Sequence, residues 1–403
     1  MNTSNDAQYD QYLNAGLALD LTRGKPCSDQ LDLSCALEDM IAGNFKTADG
    51  TDARNYGGLL GIPDARALGG TLLDVDPKYI MAGGNSSLTL MYQFLVWRLK
   101  AWQKDDPTQT FKFICVVPGY DRHFTICEHL GIEMISVGFD ADGPNMTKIE
   151  ALVRQDQNIK GIWCVPKHSN PTGHTYSQAT VERLANLPNL AGKDFIIMWD
   201  NAYAAHDLDP RTMPLTNLMA RAQAAQTAHQ IALFASTSKI TFAGAGLAFC
   251  GLSEPMLQGF ETFLTPQMIG FDKVNQLRHA RLLKDSNDIA KHMAAHRVIL
   301  EPKFQRVQEK LMPLAEADLA TWSQPGGGYF VSLDLKAASA TQVIALANAA
   351  GVKLTPAGAT FPYGRDPEDK NIRIAPSFPD MIELDQALDV LVCCIVKASE
   401  MDR

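Results

Sequence analysis

Phe195-Ile196-Ile197-Met198-Trp199-Asp200-Asn201-Ala202-Tyr203 joins an unbroken apolar run to a carboxylate and a phenol. A run of that length with no polar alternation fits a strand covered on both faces. Asp200 then falls just past the strand's carboxyl end, the edge of an open parallel sheet beyond which ligands bind. Working outward, the same arrangement recurs. Residues 113–117 lead to Pro118-Gly119-Tyr120, and residues 161–165 lead to Pro166-Lys167-His168-Ser169-Asn170-Pro171-Thr172-Gly173. Residues 231–235 lead to Ser236-Thr237-Ser238-Lys239, and further strands read at 133–137 and 247–251. Longer helical patterns separate these runs, the signature of a mainly parallel sheet with crossover helices, so the fold class is α/β.

Between Ser87 and Trp102, Leu88, Met91, Leu95 and Leu99 recur at helical spacing, with Ser86 and Ser87 available as caps. A long charged helix reads over 288–311. Pro325-Gly326-Gly327-Gly328 then turns into a strand at 329–333, and a last helix runs over 382–398. At 403 residues the chain has length for two or three domains, and the α/β pattern after the long helix marks a second one.

Hydrophobic residues make up 46% and charged residues 20%, an ordinary globular balance. No apolar run reaches the roughly 18 residues of a spanning helix, so no membrane association is expected. The start, Met1-Asn2-Thr3-Ser4-Asn5-Asp6, has no basic region before an apolar stretch, and a cytoplasmic location is expected. A net charge of -9 argues against nucleic acid as a partner and leaves small molecules. The eight cysteines form no C-x-x-C pair and read as reduced and structural. No metal site is expected: His292 and His296 stand four residues apart without the Glu of H-E-x-x-H, and read as a solvated helix face. Gly244-Ala245-Gly246 precedes a strand instead of opening a helix, which excludes a dinucleotide turn.

Four strand ends thus bring an aromatic, an amide, a carboxylate with a phenol, and an amine with hydroxyls to one rim. Gly83-Gly84-Asn85-Ser86-Ser87 opens the Leu88 helix, where free N–H groups and the positive dipole end suit a phosphate. Pyridoxal 5'-phosphate (PLP) needs this set: an amine for its carbonyl, a carboxylate for its ring nitrogen, donors for its phenolic oxygen and a cradle for its phosphate.

The Asn170-Pro171-Thr172-Gly173, Asp200-x-x-Tyr203 and Ser236-x-x-Lys239 motifs stand in the order and spacing of the fold-type I, class I/II aminotransferases. The chain resembles that family over nearly its whole length. It looks most like the bacterial aspartate aminotransferase branch with a Leu21-Thr22-Arg23-Gly24-Lys25-Pro26 start. The resemblance implies a large PLP-binding domain at 46–298, a mainly parallel sheet flanked by helices. It also implies a smaller α/β domain built from 1–45 and 299–403.

By the same resemblance Lys239 holds the cofactor as a Schiff base and moves the proton, Asp200 keeps the ring nitrogen charged, and Asn170 and Tyr203 bond the phenolic oxygen. Lys239, Asp200 and Tyr203 are the catalytic candidates. Tyr120 stacks on the ring, while Gly84, Asn85, Ser86, Ser236 and Ser238 hold the phosphate. Arg373 clamps the substrate α-carboxylate, with Gly24 beneath the substrate and Asn170 beside it. Tyr56 matches a tyrosine that reaches the neighbouring subunit's phosphate, which implies a homodimer with shared active sites. One family feature is missing: where many members carry a phosphate-binding arginine after the lysine, this chain has Gly246 and Leu247.

The expected reaction is a ping-pong transfer from L-aspartate to 2-oxoglutarate, giving oxaloacetate and L-glutamate, so the partners are amino acids and 2-oxo acids. An alanine, aromatic or broad-specificity aminotransferase, a β-lyase and, more distantly, a non-catalytic sensor remain alternatives. A second substrate carboxylate needs another cation, for which Arg23, Lys25, Arg122 and Arg278 are available.

Overall fold

The computed structural model describes residues 3–105, 107–209 and 211–401. Its main sheet contains β1 (Ile80–Ala82), β2 (Lys112–Val116), β3 (Glu133–Val137), β4 (Ile159–Cys164), β5 (Ile196–Asp200), β6 (Ile231–Ser236) and β7 (Ala248–Leu252). They lie in the order β1-β7-β6-β5-β4-β2-β3. The strands expected from sequence are all present, shifted by one or two residues at most ends, and β1 is an addition. From β6 through β3 every pair is parallel. β7 instead runs antiparallel to both β6 and β1. The link from Ser236 to Ala248 is too short for a crossover helix, so the chain can only fold back beside the strand it has left.

Alternation explains the continuous apolar runs. Ile114 and Val116, Ile197 and Trp199, and Leu233 and Ala235 enter one core, whereas Phe113 and Cys115, Ile196 and Met198, and Ala232 and Phe234 enter another on the opposite face. Both faces of each central strand are therefore dry, and a polar side chain is accommodated only where the strand ends. Among the helices that cover the sheet, α1 (Ser87–Asp105) and α2 (Asp121–His129) start directly beyond strand ends.

A third core gathers Leu19, Leu21 and residues from Leu300 to Ala398. The long α3 (Ser286–Glu316) spans two of these cores, with Ile289 and Met293 on the main sheet and Leu300, Phe304, Val307 and Leu311 in the third. Ile41 also packs with the main sheet. An antiparallel sheet of β8 (Ala320–Trp322), β9 (Val331–Leu335) and β10 (Asn371–Ile374), together with the last helix α4 (Met381–Met401), completes this part. The chain's start is tied to it by the parallel pairing of Leu19–Asp20 with Val352–Lys353. No helix among the described residues is long and apolar enough to cross a membrane.

Candidate active site

The carboxyl ends of the parallel strands form the floor of a cavity of about 510 Å³, and the segment 22–25, Phe330, Thr355 and Arg373 close it from above. Lys239, Asp200, Tyr203, Asn170, Tyr120, Gly24 and Arg373, all expected at the site, line it together.

Asp200 is the last residue of β5, and pairing of Asp200 with Phe234 places it two residues from the end of β6, alongside the turn that carries Lys239. The carboxylate is 2% exposed, and burying a charge costs several kcal/mol unless partners replace water. Oδ2 lies 3.0 Å from His123 Nε2, while Oδ1 is buried with no protein partner. His123 stacks flat on Trp163, with centroids 4.0 Å apart at 6°, and Tyr120 abuts its edge at 5.0 Å. These contacts fix the imidazole against Asp200. The sequence reading missed His123. Its signal was a position three residues after Tyr120, in the first turn of a helix leaving a strand end.

Lys239 Nζ stands 5.0 Å from the centre of the Tyr203 ring. Desolvation lowers the amine's pKa, and the Asp200 charge opposes part of that shift. The result is an amine that loses its proton more easily than a surface lysine. Burial, reinforced by Tyr120 and Asp200, pushes the Tyr203 phenol far above its usual range. Tyr120 is pushed up to about 12 by burial and then by Asp200 and Asp121. Both phenols therefore keep their protons and act as donors.

Arg373 projects from β10 and is 8% exposed. Nη1 donates to Asp121 Oδ1 at 3.2 Å and to Asn170 Oδ1 at 3.3 Å. Nη2 donates to Thr355 Oγ1 at 3.2 Å and to the Thr22 carbonyl at 3.5 Å, and the guanidinium lies 4.8 Å from the Phe330 ring centre. Because Asn170 Oδ1 accepts from Arg373, its amide nitrogen remains free to donate. Gly24 meets the same ring: a Cβ there would collide with the tip of Phe330. Glycine is thus required to let the 22–25 segment close down on the cavity.

At the start of α1, Ser86 Oγ accepts from Thr89 N–H at 3.4 Å, Ser238 Oγ donates to the Asn85 carbonyl at 3.2 Å, and Ser236 Oγ accepts from Ser238 N–H at 3.4 Å. Asn85, Ser236 and Ser238 are therefore joined, with Gly84 and Ser86 flanking Asn85 in the chain, and the five stand next to the cavity wall of Ser87 and Leu88 without lining it themselves.

The sequence matches the family described as aspartate amino-transferase over residues 1–403. The chain belongs to the aspartate aminotransferase family. It is an aminotransferase, and relatives agree in sequence and shape. The aspartate aminotransferase of Corynebacterium glutamicum is 42% identical over 405 residues, which cover 97% of this chain and 92% of that protein. A solved aspartate transaminase from C. glutamicum superposes with a TM-score of 0.94 at 42% identity, covering 99% of this chain and 96% of its own. The α-aminoadipate aminotransferase LysN of Thermus thermophilus, solved with N-(5'-phosphopyridoxyl)-L-leucine, shares the fold at a TM-score of 0.78 and 18% identity, over 99% and 96% of the two chains.

Within this aminotransferase the missing arginine has a structural cause. A Cβ on Gly246 would lie 2.9 Å from Ser238 Oγ, and Leu247 is buried with its N–H donating to Thr237 Oγ1 at 2.9 Å. Neither position has room for a long cation reaching toward the serines. Of the candidate side-chain cations, Arg23, Lys25 and Arg122 line the cavity, and Arg278 does not. Tyr56 is 82% exposed and lies away from this chain's cavity. Seven cysteines are buried and free, and Cys35 is free and exposed. The reading of His292 and His296 as a solvated face is wrong: His296 is 1% exposed and both face the turn after β6, because this side of α3 packs across the main sheet.

Proposed function

We infer that this enzyme is a PLP-dependent aspartate aminotransferase, transferring the amino group of L-aspartate to 2-oxoglutarate in two half-reactions. The observation that carries the cofactor assignment is Asp200 Oδ1, a buried carboxylate oxygen without a protein partner on the floor of the cavity that also holds Lys239 and Arg373. A protonated ring nitrogen is the donor that would complete it.

When bound, PLP supplies a carbonyl that links to amines and a ring that takes up the electrons left when a substrate Cα loses its proton. Lys239 would tether it, then accept the Cα proton on Nζ and return it, a role its depressed pKa favours. Asp200, turned by His123, would face the ring nitrogen. Tyr203 Oη and the free amide of Asn170 would donate to the phenolic oxygen, and Tyr120 would cover the ring. Gly84, Asn85, Ser86, Ser236 and Ser238 would receive the phosphate through N–H and hydroxyl groups, without the usual arginine. Arg373 would exchange its bond to Asp121 for the substrate α-carboxylate, held above Gly24. Arg23, Lys25 and Arg122 give the cavity wall the positive charge that a second substrate carboxylate needs, which supports a dicarboxylic donor.

The exposed Tyr56 and Ile269 suit burial against a second copy, so a homodimer that shares its sites is part of this reading. A large domain at 46–298 and a small one at 1–45 and 299–403 agree with the cores except at Ile41, which packs with the main sheet, and a cytoplasmic location is part of the same reading. A panel of amino donors assayed with 2-oxoglutarate tests the substrate. Aspartate should rank first in kcat/KM, and preference for alanine or an aromatic donor, or release of ammonia and pyruvate, would replace this assignment.

A further inference from the structure

The turn that carries Lys239 does not continue into a helix. It closes on itself, with Ile240 and Thr241 N–H both donating to the Thr237 carbonyl at 2.8 and 2.7 Å. Among the described residues, the carbonyls of Lys239 and Ile240 find their partners in side chains. The Lys239 carbonyl accepts from His206 Nε2 at 3.1 Å and from the Tyr329 hydroxyl at 3.1 Å. The Ile240 carbonyl accepts from His292 Nε2 at 2.7 Å, and His296 stands beside that imidazole.

The proton positions follow from the partners. A carbonyl only accepts, so His206 and His292 carry their protons on Nε2. Gln30 Oε1 accepts from Cys27 N–H at 3.2 Å, which turns Gln30 Nε2 to donate to Tyr329 Oη at 2.9 Å and to His296 Nδ1 at 2.9 Å. His296 therefore carries its proton on Nε2 as well. The Nε2 atoms of His292 and His296 are 3.2 Å apart, and as two donors they cannot bond each other. His292 Nε2, which also lies 3.3 Å from Ser34 Oγ, is the one that serves the Ile240 oxygen. Burial lowers the pKa of each of the three histidines, that of His296 to about 4, and so favours their neutral forms.

A carbonyl in a turn needs one partner, which water can supply. Here two successive carbonyls take side-chain donors, two on Lys239 and one on Ile240, drawn from the loop after β5, from the segment leading into β9 and from α3, and Gln30 bonds Tyr329 from the chain's start. The lysine side chain is long and flexible, so the place of its Cα sets where Nζ can reach.

We propose that His206, Tyr329 and His292 are positioning residues for Lys239, fixing its main chain through side-chain donors to the carbonyls of Lys239 and Ile240. This rests on Lys239 being the amine that holds the cofactor. That premise is checked first on the wild-type holoenzyme by borohydride reduction and peptide mapping, and a label on another lysine would remove the premise and the proposal together.

With the label on Lys239, Tyr329→Phe is the sharper test, because it deletes one hydroxyl and keeps the ring in its core. Cofactor content and melting temperature should stay near wild type while kcat falls about tenfold and KM changes less than about twofold. The pH midpoint of the visible absorption of the lysine-bound cofactor should move by roughly half a unit or more. His206→Gln, which keeps an N–H donor, should retain most of the wild-type kcat and midpoint, and His206→Leu should not. Wild-type kcat and midpoint in Tyr329→Phe, or equal impairment in the two His206 variants, would overturn the proposal.

Discussion

Lys239 and Asp200 meet across neighbouring strands of one sheet, whereas Arg373 is held by Thr22, Asp121, Asn170 and Thr355 from segments spread along the whole chain. The strand register sets the first pair side by side, and donors from His206, Tyr329 and His292 then hold the turn that carries Lys239. The second group exists only when the chain's start, the sheet rim and the third core are assembled. Damage at the floor should therefore appear in the chemistry, and damage at the roof in substrate binding.

The largest effect is expected for Lys239→Ala, with single-turnover rates falling at least about a thousandfold while the fold persists. Asp200→Ala should follow, losing turnover by roughly a hundredfold or more while keeping some cofactor, as expected for a group stabilising developing charge. Near-normal turnover in that variant would remove Asp200 from the chemistry. At the roof, Arg373→Lys should raise KM for the amino donor by about tenfold to a hundredfold with a smaller change in kcat, because an ammonium cannot reproduce the two-pronged grip. A kcat-only effect would erase the contrast between floor and roof. His123→Asn acts through Asp200 and should lower kcat by about tenfold with KM nearly constant.

The smallest expected effect concerns acid. Burial lowers the pKa of His296 from its ordinary 6.5 to about 4, so the unfolded chain takes up the proton first as pH falls. Its contribution to stability is full above about 6.5, is lost between there and about 4, and is constant below. Melting temperatures of the holoenzyme across that interval should decline less steeply in His296→Gln than in wild type. Equal slopes would mean that His296 is not held neutral.

The same contrast separates what could be read in the sequence from what could not. β5 and β6 were legible because both faces are dry and the first polar residue marks the end, which exposed Asp200, Ser236 and Lys239 at once. The antiparallel β7 was hidden because its apolar run looks like its neighbours', and only the short link before it forces the reversal. His123 escaped because a histidine one helical turn past a strand end is ambiguous until Asp200 is placed beside it. His292 and His296 were misread because their spacing gives one helix face without saying what covers it. Asp121, Thr355 and Phe330 around Arg373 carried no local pattern, since only the assembled fold joins segments so far apart.

The account stands on Lys239 as the residue that binds the cofactor covalently. Reduction of the PLP-loaded enzyme with borohydride, digestion and mass spectrometry should place the phosphopyridoxyl group on the peptide containing Lys239 and on no other. Its appearance on Lys25 or Lys167, or a protein that takes up the cofactor without any reducible link, would contradict it.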